Sequence, residues 1–198
     1  MLIKVCGMRS DEQVQKIEGV TDYVGFIFYE NSKRFVNTTP VVKDALKVGV
    51  FVNASSAEIN EHIAEQSLDA VQLHGHETPE FCSLFAPEIS VIKAFGVDDQ
   101  FEFDSTADYE AHVDFFLFDT KTPHHGGSGQ QYDWSILSNY KGAIPFFLSG
   151  GIRPSSVQAL KSFQHPKFAG IDLNSGFEQA PGDKNTSELI QFIEQIKN

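Results

Sequence analysis

The chain has only two cysteines, Cys6 and Cys82, and neither belongs to a CxxC or Cys/His ligand pattern. That argues against a zinc site, and two lone thiols suit a reducing compartment. Basic residues are also scarce. There are 15 Lys and Arg against 27 Asp and Glu, for a formal net charge of −12. An acidic surface argues against nucleic acid or anionic membrane as the main partner. It does not argue against a small anion, because a few local donors reverse the field inside a pocket. Solubility is the plain reading of the excess charge. No apolar run approaches the roughly 20 residues that a bilayer span requires. The opening Met1-Leu2-Ile3-Lys4-Val5 has no charged region leading into a long apolar stretch with a cleavage site. A soluble, cytoplasmic protein is expected. No linker, low-complexity tract or compositional break divides the chain, so residues 1–198 are expected to form one domain around one core.

Two textures alternate along the chain. Short runs rich in Val, Ile and Phe each end near Gly, Asn, Asp or Ser. They predict strands at 2–6, 23–28, 48–52, 70–74, 90–95, 115–119, 145–149 and 168–173. Polar stretches between them predict helices over 11–18 behind Ser10, 57–67 behind Ser55 or Ser56, and 157–163 behind Ser155 or Ser156. Another opens at Thr78-Pro79-Glu80 and carries Phe81 and Leu84, and the last covers 187–197 behind Thr186. Weaker helical spacing covers 41–47, 99–112 and 134–141. Eight strands alternating with helices indicate parallel βαβ units, buried on both faces. The expected fold class is α/β, a single (β/α)8 TIM barrel. It is lean, at about 25 residues per unit against ~250 for the typical whole barrel. A doubly wound open sheet is the structural alternative, but Cys6-Gly7-Met8-Arg9 follows the first strand where a GxGxxG would stand.

In a barrel, chemistry sits at the carboxyl ends of the strands. Those ends read Cys6, Phe28 with a loop to Arg34, Asn53, His74, Gly96, Asp119, Ser149-Gly150-Gly151, and Asp172 with Asn174-Ser175-Gly176. The glycine-bearing turns after strands 7 and 8 are neighbours. Backbone N–H groups there suit a phosphate, with residues 175–179 starting a short extra helix. Cys6 and Asp119 face each other across the mouth, so one could take a proton while the other gives one. Taken alone, each also reads as an ordinary residue, Cys6 as a packed thiol and Asp119 as a cap or turn.

The ordered series of motifs resembles the phosphoribosylanthranilate isomerase family. It runs through Lys4-Val5-Cys6-Gly7-Met8, Val24-Gly25-Phe26-Ile27-Phe28 and Asn31-Ser32-Lys33-Arg34-Phe35. It continues with Val48-Gly49-Val50-Phe51-Val52-Asn53, Val71-Gln72-Leu73-His74-Gly75 and Phe118-Asp119-Thr120-Lys121-Thr122-Pro123. Gly126-Gly127-Ser128-Gly129, Leu148-Ser149-Gly150-Gly151, Asp172-Leu173-Asn174-Ser175-Gly176-Phe177-Glu178 and Pro181-Gly182-Asp183-Lys184 complete it. Three departures are Gln130-Gln131 where a Lys-Thr pair is usual, Asn174 where Ser is common, and a short stretch at residues 37–47. The resemblance implies an Amadori rearrangement of a phosphoribosyl-anthranilate in tryptophan biosynthesis, with Cys6 as base and Asp119 as acid. It implies substrate contacts from Arg34 to the anthranilate carboxylate and from His74 and Asp172. It implies phosphate held by Gly150, Gly151, Ser175 and Gly176. The implied partner is this small phosphorylated substrate, with no nucleic acid, no membrane, and a monomer in preference to a dimer. No metal or cofactor is expected, because an iminium intermediate itself acidifies the carbon that loses a proton. The loop 121–132 is expected to act as a lid, and its His124-His125 pair is not expected to bind a metal.

Three rivals share the scaffold or the ligand. A metal-dependent pentose-phosphate epimerase wants His and Asp ligands on several strand ends. A relative of indole-glycerol-phosphate synthase wants strand-end lysines, whereas Lys4 and Lys93 lie within strands. A non-catalytic sugar-phosphate binder needs neither the thiol nor the opposed acid. Turnover is expected to survive a chelator and to be lost to a thiol-alkylating agent, with protection by a product analogue. Loss of activity in chelator that a divalent metal restores overturns this reading.

Overall fold

Residues 1–85, 87–120 and 133–197 are described in the computed structural model. Eight strands form a closed, wholly parallel barrel in sequence order: β1 (Leu2–Cys6), β2 (Tyr23–Ile27), β3 (Leu46–Phe51), β4 (Ala70–Leu73), β5 (Ser90–Val97), β6 (Phe115–Thr120), β7 (Phe146–Leu148) and β8 (Phe168–Leu173). The ring closes where β1 pairs with β8, with Lys4 in register with Asp172. Each strand begins and ends within two residues of its expected bounds. The open-sheet alternative is therefore set aside.

The period of two divides each strand between two cores. One set of side chains, including Val48, Ala70, Ile92, Leu117 and Phe147, fills the barrel interior. The other, including Val5, Val24, Phe51, Val71 and Phe118, packs outward beneath the surrounding layer. That layer contains α1 (Asp11–Ile17), α2 (Ser56–Gln66), α3 (Pro79–Cys82), α4 (Val157–Ser162) and α5 (Thr186–Lys197). Ser55 Oγ caps α2 by accepting from Glu58 N at 3.2 Å, and Thr78 Oγ1 caps α3 by accepting from Phe81 N at 3.3 Å. Ser10 precedes α1 without a side-chain cap. Helix α3 stops before Leu84, which is exposed.

Three connections differ from expectation. The segment 41–47 is not a helix, and β3 starts within it at Leu46. The amides that a helix would bond within itself are taken from outside the segment: Leu46 N donates to Asp22 O at 2.9 Å and Lys47 N to Asp69 Oδ2 at 2.7 Å. The segments 99–112 and 134–141 supply 3₁₀ turns, Phe103–Tyr109 and Trp134–Asn139. Aromatic side chains cover β5 to β7 there in place of longer helices. The Phe118 ring lies 5.4 Å from Phe103, 5.3 Å from Tyr140 and 5.2 Å from Phe146.

Phe118→Ala is expected to destabilise the fold by about 3–5 kcal/mol, the usual cost of emptying a fully buried aromatic site. A urea titration should show a lower midpoint with an unchanged slope. A midpoint equal to that of the parent chain contradicts this account of the aromatic layer.

Candidate active site

The inward face changes chemistry towards the carboxyl ends of the strands. Above the apolar layer stand Lys4 and Cys6 from β1, Gln72 from β4 with His74 just past its end, Asp119 from β6, Ser149 just after β7, and Asp172 from β8. Lys4 is fully buried, and its Nζ donates to Asp172 Oδ1 at 2.8 Å. Burial works against its charge, but Asp172 and then Cys6 hold the ammonium above its ordinary value. Cys6 is buried beside it. Burial pushes its thiol up; Lys4 and Lys184 pull against that, while Asp172 adds to it.

Asp119 Oδ1 accepts from Thr120 N at 2.8 Å and from Ser149 Oγ at 3.3 Å. Oδ2 faces His74 Nε2 at 3.7 Å. Burial, reinforced by the Asp172 charge, raises the Asp119 carboxyl to about 6. The Gln72 amide nitrogen lies 2.9 Å from His74 Nδ1. An amide that donates to Nδ1 leaves the ring proton on Nε2, directed at Asp119. Ser149 Oγ also lies 3.4 Å from Asp172 Oδ2, so one hydroxyl joins the two carboxylates.

Beside the mouth, Arg34 is held in a two-pronged pair with Glu178. Its Nη2 donates to Oε2 at 2.6 Å and its Nε to Oε1 at 2.9 Å. Glu178 opens β9 (Glu178–Ala180), which forms a hairpin with β10 (Asp183–Lys184). Lys184 Nζ donates to Glu178 Oε1 and to Asn174 Oδ1, both at 2.7 Å. Burial pushes the Glu178 carboxyl up, but Arg34 and Lys184 hold it below its ordinary range. Burial pulls the Lys184 ammonium down, with Glu178 opposing. Gly7, at φ +74°, lets the arginine stem cross the end of β1, since a Cβ there would lie 2.6 Å from Arg34 Cδ. The guanidinium keeps three N–H donors beyond the two spent on Glu178.

The turns after β7 and β8 meet. Gly150 and Gly151 lie in the left-handed region, at φ 87° and 68°. A Cβ on Gly176 would strike the backbone carbonyl of Ile152, just past Gly151. Among the described residues, no backbone hydrogen bond outside helices and strands engages the amides of Gly150 or Gly151. The expected helix over 175–179 is only the 3₁₀ turn Ser175–Phe177. It ends there because Glu178 extends into β9, where its carboxylate also accepts from Gly182 N at 3.0 Å.

All nine expected site residues therefore lie at this end of the barrel. Lys4, Gln72, Ser149 and Glu178 join them without having been singled out for a role. The signal for two was available: Lys4 and Gln72 stand two residues before Cys6 and His74, and so on the same face. Asn53 and Lys93 serve structure. Asn53 Oδ1 accepts from His76 N at 2.7 Å, while Lys93 Nζ donates to Glu77 Oε2 at 2.7 Å and to Gly75 O at 2.8 Å. Burial pushes the Cys82 thiol up to about 11. The expected lid 121–132, with His124-His125 and Gln130-Gln131, lies outside the described residues. Among the described residues no group of three or more His, Cys, Asp or Glu side chains could hold a metal ion.

The family model for N-(5'-phosphoribosyl)anthranilate isomerase matches residues 3–195. The N-(5'-phosphoribosyl)anthranilate isomerase of Parabacteroides distasonis is 49% identical, over 99% of this chain and 93% of that protein. The crystal structure of the Thermus thermophilus phosphoribosyl anthranilate isomerase superposes with a TM-score of 0.87 at 27% identity, covering 100% of this chain and 98% of that one. A phosphoribosyl anthranilate isomerase in complex with reduced 1-(o-carboxyphenylamino)-1-deoxyribulose 5-phosphate superposes with a TM-score of 0.82 at 30% identity, again over 100% and 98%.

Asp119 is expected to titrate at about 6. Its side-chain carboxyl carbon resonance, followed by NMR against pH, reads this directly. Asp172→Asn removes a neighbouring negative charge and should lower the midpoint; a midpoint in the ordinary carboxylate range in the parent chain counts against the site as described.

Proposed function

The chain belongs to the N-(5'-phosphoribosyl)anthranilate isomerase family, and from that premise we propose how its own residues carry out the isomerisation, with Cys6 as base and Asp119 as acid. The enzyme is an isomerase of tryptophan biosynthesis, converting N-(5-phosphoribosyl)anthranilate to 1-(2-carboxyphenylamino)-1-deoxyribulose 5-phosphate. The observation that carries the residue assignment is an acid held near 6 and a thiol beside a buried ammonium, both inside one mouth.

The reaction starts from an aminoaldose in its ring form. Asp119 gives its proton to the ring oxygen as the C1–O bond breaks, and the nitrogen lone pair forms the C1=N bond of an iminium. The Cys6 thiolate then takes the proton from C2. The C–H electron pair becomes the C1=C2 bond, and the C=N pair returns to nitrogen. The resulting enolamine tautomerises to the C2 ketone. An acid titrating near 6 is about one-tenth protonated at neutral pH, and it gives its proton readily. The raised thiol makes the thiolate scarce and strongly basic. Only the fraction with Asp119 protonated and Cys6 ionised is active. The free-enzyme rate should then rise with pH to about 6, stay level, and fall only when the thiol's own range is passed.

The substrate carries an anion at each end, while the protein's net charge is −12. Local donors must therefore prevail. The remaining N–H groups of Arg34 suit the anthranilate carboxylate. The amides of Gly150, Gly151, Ser175 and Gly176 suit the phosphate, since no side chain keeps an anion from the glycines. His74 lines the site next to Asp119, and Asp172 Oδ2 suits a sugar hydroxyl. The whole chain is read as one barrel domain, monomeric and cytoplasmic. In support, the exposed large apolar side chains among the described residues, Met1, Val41, Leu46 and Leu84, are few, and no helix among them is long and apolar enough to cross a membrane.

Cys6→Ser and Asp119→Asn should each lower kcat by about 10²–10⁴-fold while the folded circular dichroism is retained. Arg34→Ala should lower kcat/KM by about ten- to a hundredfold, the worth of a charge-assisted hydrogen bond. Decay of anthranilate fluorescence with freshly made substrate measures all three. Near-normal turnover in a folded variant removes that residue from the mechanism.

A further inference from the structure

The reaction needs a thiolate, and the position of Cys6 opposes one. Its side chain is buried in the barrel, where a desolvated anion is costly. Some nearby cation has to offset that cost. On β1 the period of two puts Lys4 on the same inward face as Cys6, one layer deeper. Lys4 is fully buried, and its register partner across the closure of the ring is Asp172.

The space between thiol and ammonium is set by β2. Gly25 is the register partner of Cys6. A Cβ built on Gly25 would lie 2.8 Å from Cys6 Sγ and 3.2 Å from Lys4 Nζ. The thiol and the ammonium thus converge on the volume that the missing side chain leaves, and they interact there. Lys4 Nζ also donates to Asp172 Oδ1 at 2.8 Å.

We propose that Lys4 is the positioning residue for the base: its ammonium stabilises the Cys6 thiolate at the Gly25 gap, while Asp172 competes for the same ammonium from the other side. This rests on the reading of Cys6 as the base. One cation stands between two groups that gain from it. Asp172 takes part of the field of Lys4 and adds its own negative charge, so it works against the thiolate, and Lys4 works for it. The other charged groups on the thiol are Lys184 from β10 and Arg34 from the loop after β2, and both are paired with Glu178. Asp119 from β6 and His74 from the end of β4 face the same mouth. Lys184 is buried too, but only Lys4 stands on the strand that carries the thiol, at the gap left by Gly25.

The consequence is a pair of shifts with opposite signs. Lys4→Met should raise the midpoint of Cys6 ionisation by about one pH unit or more, the effect typical of a removed opposite charge at this range. Asp172→Asn should lower it. A role in packing alone would not produce opposite shifts. The midpoint is read from the ultraviolet absorbance of the thiolate against pH, as the difference from the same protein carrying Cys6→Ser, so that Cys82 and the tyrosines cancel. Lys4→Met should also lower kcat more than it changes KM, and Lys4→Arg should recover part of both the midpoint and kcat.

Lys4→Met strands the Asp172 charge and could prevent folding. Lys4→Met/Asp172→Asn has no stranded charge, and its midpoint compared with that of Asp172→Asn isolates the effect of Lys4. A higher midpoint in the double variant supports the proposal. Equal midpoints overturn it, as does a shift of Lys4→Met and Asp172→Asn in the same direction. The spectroscopic measurement does not depend on turnover. If Cys6→Ser keeps near-normal activity while the midpoints move as stated, the base assignment fails and the Lys4–thiol coupling stands. If Cys6→Ser is inactive and the midpoints do not move, the coupling alone fails.

Discussion

The Lys4 ammonium is a charge placed where no water reaches it, on the inner face of a barrel whose lower layer is largely apolar. Such a group persists only with partners in place, and the partners of Lys4 organise the mouth above it. Asp172 answers it from β8, across the seam where the barrel closes. The second oxygen of Asp172 lies against Ser149, whose hydroxyl also reaches Asp119. The carboxyl of Asp119 is raised by burial and by Asp172 together. A chain of charges and one hydroxyl therefore runs from β1 through β8 and β7 to β6. The thiol and the acid are set by the same few atoms.

The loops above the strands are fixed in the same manner. This barrel is lean, and several connections have little helix to hold them. Buried ion pairs take over that role. Glu178 gathers Arg34 and Lys184, joining the loop after β2 to the hairpin after β8. Glu77 gathers Lys93 and the amides of Asn53 and Gly75, tying the ends of β3 and β4 to the middle of β5. Burial pushes the Glu77 carboxyl up, and Lys93 holds it below its ordinary range. Each carboxylate accepts from a cation and from backbone amides at once. That arrangement satisfies a buried charge and leaves little freedom in the loop that carries it. On the other side, rings around Phe118 do by packing what the ion pairs do by charge.

The eight strands were legible in the sequence because a strand buried on both faces must be apolar along its length, and each run ended at a turn residue. The ends of those runs marked the mouth, and an ordered series of motifs gave Cys6 and Asp119 a meaning that neither has alone. Capped helices were legible for the same local reason, as at Ser55 and Thr78. The segment 41–47 was not, because Leu46 and Lys47 give their amides to Asp22 and Asp69, far away in sequence. A local pattern carries no information about such acceptors. The short turn at Ser175–Phe177 was misjudged in length for a similar reason, since Glu178 is drawn into a hairpin by Arg34.

Sequence alone thus determined the barrel, its order of strands and the end at which chemistry gathers, since these follow from hydrophobic period and turn chemistry over a few residues. Tertiary structure alone decided which polar group meets which: Lys4 with Asp172, Arg34 with Glu178, His74 with Asp119. Those pairs span up to 168 residues of chain, and they form because the closed barrel brings together strand ends and loops that the sequence keeps far apart.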